Sequence, residues 1–180
     1  MTDRYTQTAV TLHWLIVLLI FAAFPLGLYM HDLPLSPHKL RLYSYHKWIG
    51  IMVLLLALIR VYWRATHRPP AMPESMAKWE NLAAHAMHFA LYVLIFVIPI
   101  TGWLMSSAKG FPVVLFGVLP LPDLVGKNKE LGDALLEVHK VLNFIMLGLV
   151  LAHIAAALKH HFIERDDILV RMTPFLRKKS

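Results

Sequence analysis

Six histidines lie inside the apolar runs of this chain, apart from His160 and His161 at the very end of the last run, and polar side chains there are costly and by default mark function. They are His13, His46, His85, His88, His139 and His153. The last two are fourteen residues apart, which on a helix corresponds to a rise of about 21 Å and nearly four turns. Both rings are therefore predicted to lie on one helix face at opposite depths of a membrane, where each can bind a separate cofactor.

The depths of two other histidines supply a partner for each ring of that last run. With the amino terminus taken as inside, His13 lies near the inner end of the first run, level with His153. His46 lies near the outer end of the second run, level with His139. The sequence thus predicts two bis-histidine sites stacked across the membrane.

Pairs of facing imidazoles suit haem iron, because neutral imidazole supplies an axial donor without adding charge to a low-dielectric interior. Two axial ligands leave no open position on the iron, which favours electron transfer over oxygen binding. The chain has no cysteine, which excludes thiolate iron–sulfur ligation and covalent attachment of c-type haem. Zinc is a poorer interpretation, because two histidines fall short of four ligands and only Glu137 lies at matching depth. A proton relay is the other alternative.

Further polar groups lie level with the predicted inner site. His85 and His88, three residues apart, are predicted to bind a propionate or a quinone oxygen; alternatively, either replaces an inner iron ligand. Arg60 and Arg64, four residues apart at the inner end of the second run, are predicted to pair with haem propionates. The alternative for both arginines is positive-inside membrane anchoring.

Basic residues on the outer side predict a positive funnel, which would raise the arrival rate of a small anion. Lys47 follows His46 directly, Lys140 follows His139 directly, and Lys109 lies in the third connection. The alternative is that these lysines pair with the propionates of an outer haem. The funnel would also include Lys39, Arg41, Lys127 and Lys129. The acidic residues that dilute it are Asp123, Glu130, Asp133 and Glu137.

Four apolar runs are long enough to hold these side chains across a bilayer, since about 20 helical residues cross the hydrocarbon. They cover residues 9–30, 43–63, 81–106 and 134–161. The composition is 58% hydrophobic and only 16% charged, which indicates lipid as the solvent. We predict an all-α fold, a four-helix transmembrane bundle with haem sites between helices, formed as one domain over residues 1–180. The first run lacks a clear cleavage site and is interpreted as a retained span.

The connections and the tail predict the orientation. Basic residues are denser on the side of both termini, where the chain ends with Arg177, Lys178 and Lys179. The positive-inside rule then predicts that both termini are cytoplasmic. The third connection is predicted to touch the membrane surface through its apolar residues, which are Phe111, Val113, Val114, Leu115 and Phe116. The net charge of +7 comes without the aromatic-interleaved basic run that is typical of nucleic-acid binding.

Several short motifs together resemble the bacterial cytochrome b561 family over nearly the whole chain. These motifs are Leu12-His13-Trp14, Tyr45-His46-Lys47-Trp48-Ile49-Gly50, Arg60-Val-Tyr-Trp-Arg64, His85-Ala-Met-His88, and the pair His139 and His153. The resemblance implies a di-haem b protein of the bacterial inner membrane that exchanges electrons with ubiquinone. The helix and histidine plan is also similar to the cytochrome b subunits of formate dehydrogenases and hydrogenases.

One kind of protein within that family, a superoxide oxidase, resembles the chain in length, loop pattern and outer basic charge. This resemblance implies that the chain is an enzyme that takes electrons from superoxide on the periplasmic side and passes them inward to ubiquinone. The main alternative is a cytochrome b subunit that anchors a partner dehydrogenase or hydrogenase in the membrane and relays its electrons to quinone. A third possibility is a non-redox transporter whose histidines relay protons.

Overall fold

Each predicted apolar run forms a helix in the computed structural model, which describes residues 4–73 and 76–173. The four long helices are α1 (Gln7–Asp32), α2 (Pro37–Thr66), α3 (Lys78–Ala108) and α4 (Lys129–Lys159). All four are long and apolar enough to cross a membrane, which confirms the all-α class and the four predicted spans. The basic residues Arg177, Lys178 and Lys179, used above for orientation, lie outside the described residues.

The helices extend beyond the apolar runs because polar residues continue and cap them outside the hydrocarbon. The side chain of Thr6 accepts a hydrogen bond from the amide of Ala9 at the start of α1. Ser36 caps α2 in the same way, ahead of a proline in the first turn, and Asn128 caps α4. Hydropathy marks where the chain crosses the hydrocarbon, so it predicted the runs but not these ends.

Two helical hairpins form the bundle, α1 with α2 and α3 with α4, and they meet where α2 packs on α3. Of the other long helices, α4 packs closely only against α3 in the described part of the chain. The inward faces bury side chains such as Ile16, Val53 and Leu94, while Leu18 and Phe21 are exposed. An apolar exterior around a small apolar core is expected when lipid surrounds the bundle.

Both chain termini lead to the same end of the bundle, which we call the terminal end. There α4 changes into one π-helical turn, His160–Glu164, and the backbone reverses at Arg165, whose φ is 56°. A short helix, α5 (Ile168–Met172), follows and lies against α1, because the indole Nε1 of Trp14 donates to the carbonyl of Met172 at 2.8 Å. The segment after Glu164, although polar in composition, therefore includes a helix whose Val170 is buried.

The opposite end, which we call the hairpin end, is covered by the connection between α3 and α4. This connection contains a two-stranded antiparallel hairpin, β1 (Val114–Leu115) and β2 (Leu119–Pro120). The indole Nε1 of Trp48 donates to the carbonyl of Val114 at 2.7 Å and fastens the hairpin to α2. Phe111 and Phe116 are exposed as predicted, but the prediction is wrong for Val113, which is only 2% exposed. Its side chain packs inward and helps to close the bundle.

Candidate functional site

Two pairs of histidine rings face each other between the helical hairpins, one pair near each end of the bundle. The ring centroids of His13 on α1 and His153 on α4 are 6.5 Å apart, with an interplanar angle of 80°. The ring centroids of His46 on α2 and His139 on α4 are 6.2 Å apart, with an interplanar angle of 79°. These are the pairs that helix rise predicted, and α4 contributes one ring to each.

Both separations fit one metal ion between two imidazoles. Bonds of about 2.0 Å from a metal to each ring nitrogen place the two centroids about 6.3 Å apart. The first pair joins α1 to α4 and the second joins α2 to α4. Neither α1 nor α2 packs closely on α4, which packs on α3 instead. The gap between the hairpins is therefore spanned by imidazoles, as expected around a planar group held from both sides.

The rings of the hairpin-end pair are oriented by backbone carbonyls of the neighbouring helices. Nδ1 of His46 lies 3.1 Å from the carbonyl oxygen of Ala23 on α1. Nδ1 of His139 lies 3.0 Å from the carbonyl oxygen of Ile98 on α3, with the Thr101 hydroxyl at 3.2 Å. With the proton on Nδ1, each ring donates to its carbonyl and leaves Nε2 unprotonated for a metal. Such an outer hydrogen bond is the usual accompaniment of a metal-bound histidine.

A glycine lies four residues after each of these carbonyls and makes the approach possible. A Cβ at Gly27 would lie 3.2 Å from Cε1 of His46, and a Cβ at Gly102 would lie 3.1 Å from Cε1 of His139. Both distances are tighter than ordinary carbon contacts. The sequence analysis did not single out Gly27, whose spacing of four after Ala23 matches that of Gly102 after Ile98.

A pocket opens beside the hairpin-end pair, and its walls are apolar apart from the two histidines and Asn143. Gly50 lines the pocket on α2, and a Cβ there would meet nothing within 4 Å. The open space next to Gly50 is where a flat macrocycle between the rings would extend. The apolar lining comes from Ile20, Ala23, Phe24, Val53, Leu94, Ile95, Ile98, Pro99 and Met146. This donor set and lining fit a bis-histidine haem.

At the terminal end, the two extra histidines of α3 have different surroundings. The His88 ring centroid lies 5.3 Å from that of His153, about 1 Å closer than two imidazoles on opposite sides of one metal ion would lie. Its position therefore suits a neighbour of the iron ligands better than a ligand opposite His153. His85 is exposed, and its Nδ1 lies 2.8 Å from the carbonyl oxygen of Asn81 in its own helix.

The two predicted propionate-binding arginines lie at the same end as His13. The Arg60 Nη1 donates at 2.6 Å to the carbonyl of Ala9, one turn before His13, and its Nε donates at 3.1 Å to the Tyr92 hydroxyl. The Arg64 guanidinium lies 6.0 Å from the centroid of the Tyr92 ring. Arg60 thus connects three helices within one turn of the histidine pair.

The three lysines of the predicted funnel have unequal partners. Lys109 forms an ion pair with Asp133 at 3.0 Å, and Lys140 lies 3.9 Å from Glu137. The ammonium of Lys47 instead binds neutral oxygens, the carbonyls of Phe111 and Pro112 and the hydroxyl of Ser106, at 3.1 to 3.3 Å. Of the three, Lys47 alone forms no direct ion pair among the described residues, although the Asp123 carboxylate is close enough to act on its charge.

The comparisons with known proteins agree with this architecture. A family model described as "Prokaryotic cytochrome b561" matches residues 4–175. The chain is 37% identical to "Cytochrome b561 homolog 2" of Escherichia coli strain K12 over 173 residues, which cover 94% of this chain and 91% of that protein. It is 29% identical to "Cytochrome b561 homolog 1" of the same strain, covering 96% and 98%.

A third relative carries a more specific name. The chain is 29% identical to the "Probable superoxide oxidase CybB" of Yersinia pestis over 188 residues, covering 97% of this chain and 98% of that protein. The residues matched by the family model cover all four helices and so the positions of both histidine pairs. On the family match, the chain belongs to the prokaryotic cytochrome b561 family of multi-pass membrane electron-transfer proteins with haem b.

Proposed function

We propose that the chain is a di-haem superoxide:ubiquinone oxidoreductase, acting as a single domain of the bacterial inner membrane with both termini in the cytoplasm. The observation that carries the di-haem part is the pair of ring separations, 6.5 and 6.2 Å, near opposite ends of the bundle. Haem bound at these two places supplies one-electron redox chemistry at two depths of the bilayer. In the overall reaction, two superoxide ions, one ubiquinone and two protons give two oxygen molecules and one ubiquinol.

In this proposal the four histidines hold the iron atoms and so do not carry protons. His13 and His153 would hold the iron at the terminal end, and His46 and His139 would hold the one at the hairpin end. Two imidazole ligands on each iron would favour electron transfer over oxygen binding. The carbonyls that accept from His46 and His139 keep both rings in the tautomer that binds metal.

At the terminal end, cationic and imidazole side chains would serve the propionates and the quinone. Arg60 and Arg64 bind haem propionates through their guanidinium groups. His88 lies beside His153, about 1 Å closer than a ligand on the opposite side of the same iron would lie, and hydrogen-bonds a propionate or a quinone oxygen. His85 is exposed and placed to exchange protons with solvent, which suits proton delivery to a reduced quinone.

At the hairpin end, the charge of Lys47 would attract superoxide. Its ammonium is held by neutral oxygens and forms no direct ion pair, so its positive charge is only partly offset, by Asp123 at longer range. Lys109 and Lys140 contribute less to the field because each is next to an acid. The name of the Yersinia pestis relative supports superoxide as the donor.

The test is to mix the purified, oxidised protein with superoxide generated by pulse radiolysis and to follow haem reduction by absorbance. We expect fast second-order reduction that slows as ionic strength rises, because the encounter is between an anion and a positive surface. Lys47→Gln should slow it about 3- to 10-fold. Lys78→Gln, which removes the same charge at the terminal end, is the matched control and should leave the rate unchanged.

Slow reduction that is independent of salt and of Lys47 would reject superoxide as the donor without affecting the haem assignment. In that case the alternative is a cytochrome b subunit of a larger complex. A dehydrogenase or hydrogenase that co-purifies and reduces the haem would identify it.

A further inference from the structure

An open pocket at the terminal end is lined by four arginines. It lies between the start of α1, the end of α2 and the side of α3, and its empty space of about 440 Å³ includes the part that opens to solvent. The arginines are Arg4, Arg60, Arg64 and Arg68, and His67 adds a further nitrogen donor. All the lining residues are cationic, neutral or aromatic. No ion pair joins any of these arginines to a carboxylate within the part of the chain that the structure describes.

The mouth of this arginine pocket is held together by Trp63. Its indole Nε1 donates to the Thr6 hydroxyl at 2.8 Å, which ties the start of α1 to the end of α2. The His67 ring stacks on the Trp63 ring, with centroids 3.8 Å apart and planes 6° from parallel. Arg4 precedes Thr6 by two residues, and Arg68 follows His67 directly. Two exposed guanidinium groups are thus kept at one opening against their mutual repulsion.

Two of the four arginines are already used by the proposed function. Arg60 is turned inward, towards the carbonyl of Ala9 and the Tyr92 hydroxyl, and Arg64 lies near the Tyr92 ring. Arg4 and Arg68, at the mouth, have no anionic partner among the described residues. Like charges gathered in this way need an anion, and a planar guanidinium suits phosphate oxygens.

The depth of the pocket mouth in the membrane indicates that the phosphate belongs to a lipid headgroup. Arg60 is fourteen residues after His46 on α2, so about 21 Å separates them along the membrane normal. Tyr62 is 70% exposed and Trp79 is 68% exposed near the same end. Outward-facing Tyr and Trp side chains mark the interface between hydrocarbon and headgroups. The pocket therefore opens at the depth where lipid phosphates lie.

We propose that Arg4 and Arg68, with His67, bind the phosphate of an anionic phospholipid headgroup at the mouth of this pocket. Basic pockets between transmembrane helices are a known way to hold acidic lipid headgroups. The bound lipid would neutralise the mouth and join the start of α1 to the end of α2. This inference depends neither on the electron donor nor on the identity of the iron ligands.

The test is native mass spectrometry of the haem-loaded full-length protein in detergent, titrated with palmitoyl-oleoyl phosphatidylglycerol or with phosphatidylcholine of the same chains. We expect the first phosphatidylglycerol to bind more tightly than phosphatidylcholine. Arg4→Gln with Arg68→Gln should weaken that first site about 30-fold, since each hydrogen bond lost between a guanidinium and the phosphate is worth about a fivefold factor. Lys78→Gln with Arg165→Gln removes the same charge from exposed positions at the same end that do not line the pocket. Because salt screens charges that do not contact the headgroup, the control pair should change the affinity less than about threefold.

Three results would overturn the proposal. One is equal affinity for the two lipids, or an equal loss of phosphatidylglycerol affinity in the control pair and in the Arg4 and Arg68 variant. Either would show that general surface charge, and not a site at the mouth, determines the binding. Another is displacement of phosphatidylglycerol by inorganic phosphate that itself depends on Arg4 and Arg68, which would make the site one for a free anion. The third is a loss of haem from the Arg4 and Arg68 variant with lipid binding unchanged, which would assign the mouth to propionates. Unchanged helix content by circular dichroism verifies that each variant is folded.

Discussion

At the residue scale, the site at the hairpin end is built twice from the same three parts. An imidazole donates to a carbonyl of a neighbouring helix, and a glycine four residues after that carbonyl leaves room for the ring. His46 has Ala23 and Gly27, and His139 has Ile98 and Gly102. The two imidazoles are thus oriented before any metal is bound, which reduces the ordering cost of binding it.

The ligand assignment predicts which histidine variants share a phenotype. Substituting alanine for His46 or His139 should remove the same haem and halve the haem-to-protein ratio. Alanine at His13 or His153 should remove the other haem. The measurement is the pyridine haemochrome ratio together with low-temperature reduced-minus-oxidised spectra, which separate the two absorption bands. His85→Ala, from the exposed face of α3, is the control and should retain both bands. A His46 and a His139 variant that lose different bands would contradict the pairing.

The two glycines carry a prediction of their own. Gly102→Val adds bulk where even a Cβ would lie 3.1 Å from the His139 ring, so it should displace that imidazole. Overpacking of this kind costs about 1 to 3 kcal/mol, which should appear as weaker haem retention or a shifted midpoint potential of the hairpin-end haem alone. Gly27→Val should act likewise through His46.

Gly148→Val is the matched control, since a Cβ there meets nothing within 4 Å. The measurement is a redox titration of both haems. Equal effects of all three glycine variants would show that general helix packing, rather than ring placement, determines the result.

At the scale of elements, α4 sets the relation between the two sites. It carries His139 and His153 fourteen residues apart, and it is held to the bundle mainly through α3. Because fourteen residues make nearly four full helical turns, both rings lie on the face of α4 that is directed towards α1 and α2. The phase of this one helix therefore decides whether both sites can form together.

Inserting one alanine after Leu147 tests that dependence. The insertion rotates His153 by about 100° relative to His139, so one of the two rings must leave the gap. We expect one haem to be lost while the protein still inserts into the membrane, as measured by the haem ratio and by protein yield. One alanine inserted between Pro69 and Pro70, in the exposed connection between α2 and α3, is the control and should leave both haems. Two retained haems after the α4 insertion would contradict the shared-face argument.

At the scale of the whole molecule, the fold could be predicted because the chain is surrounded by lipid. Features that depend on contacts between distant parts of the chain could not be predicted. Four apolar runs could only become helices, because a bilayer leaves no partner for other backbone conformations. Helix rise then paired the histidine depths. Nothing in local sequence showed that Lys109 would meet Asp133 or that Val113 would turn inward, because both depend on how the third connection folds. Gly27 was missed because its role appears only once His46 packs on α1.

The division of the bundle into two helical hairpins has a consequence for how the protein is made. Under the proposed ligation, α1 provides one imidazole to the iron at the terminal end, and α2 provides one to the iron at the hairpin end. The second imidazole of each iron comes from α4. The first three helices emerging from the ribosome would therefore hold no complete haem site. Cofactor loading must wait until the fourth helix has entered the bilayer, and a ribosome stalled before that point would carry a colourless, half-assembled precursor.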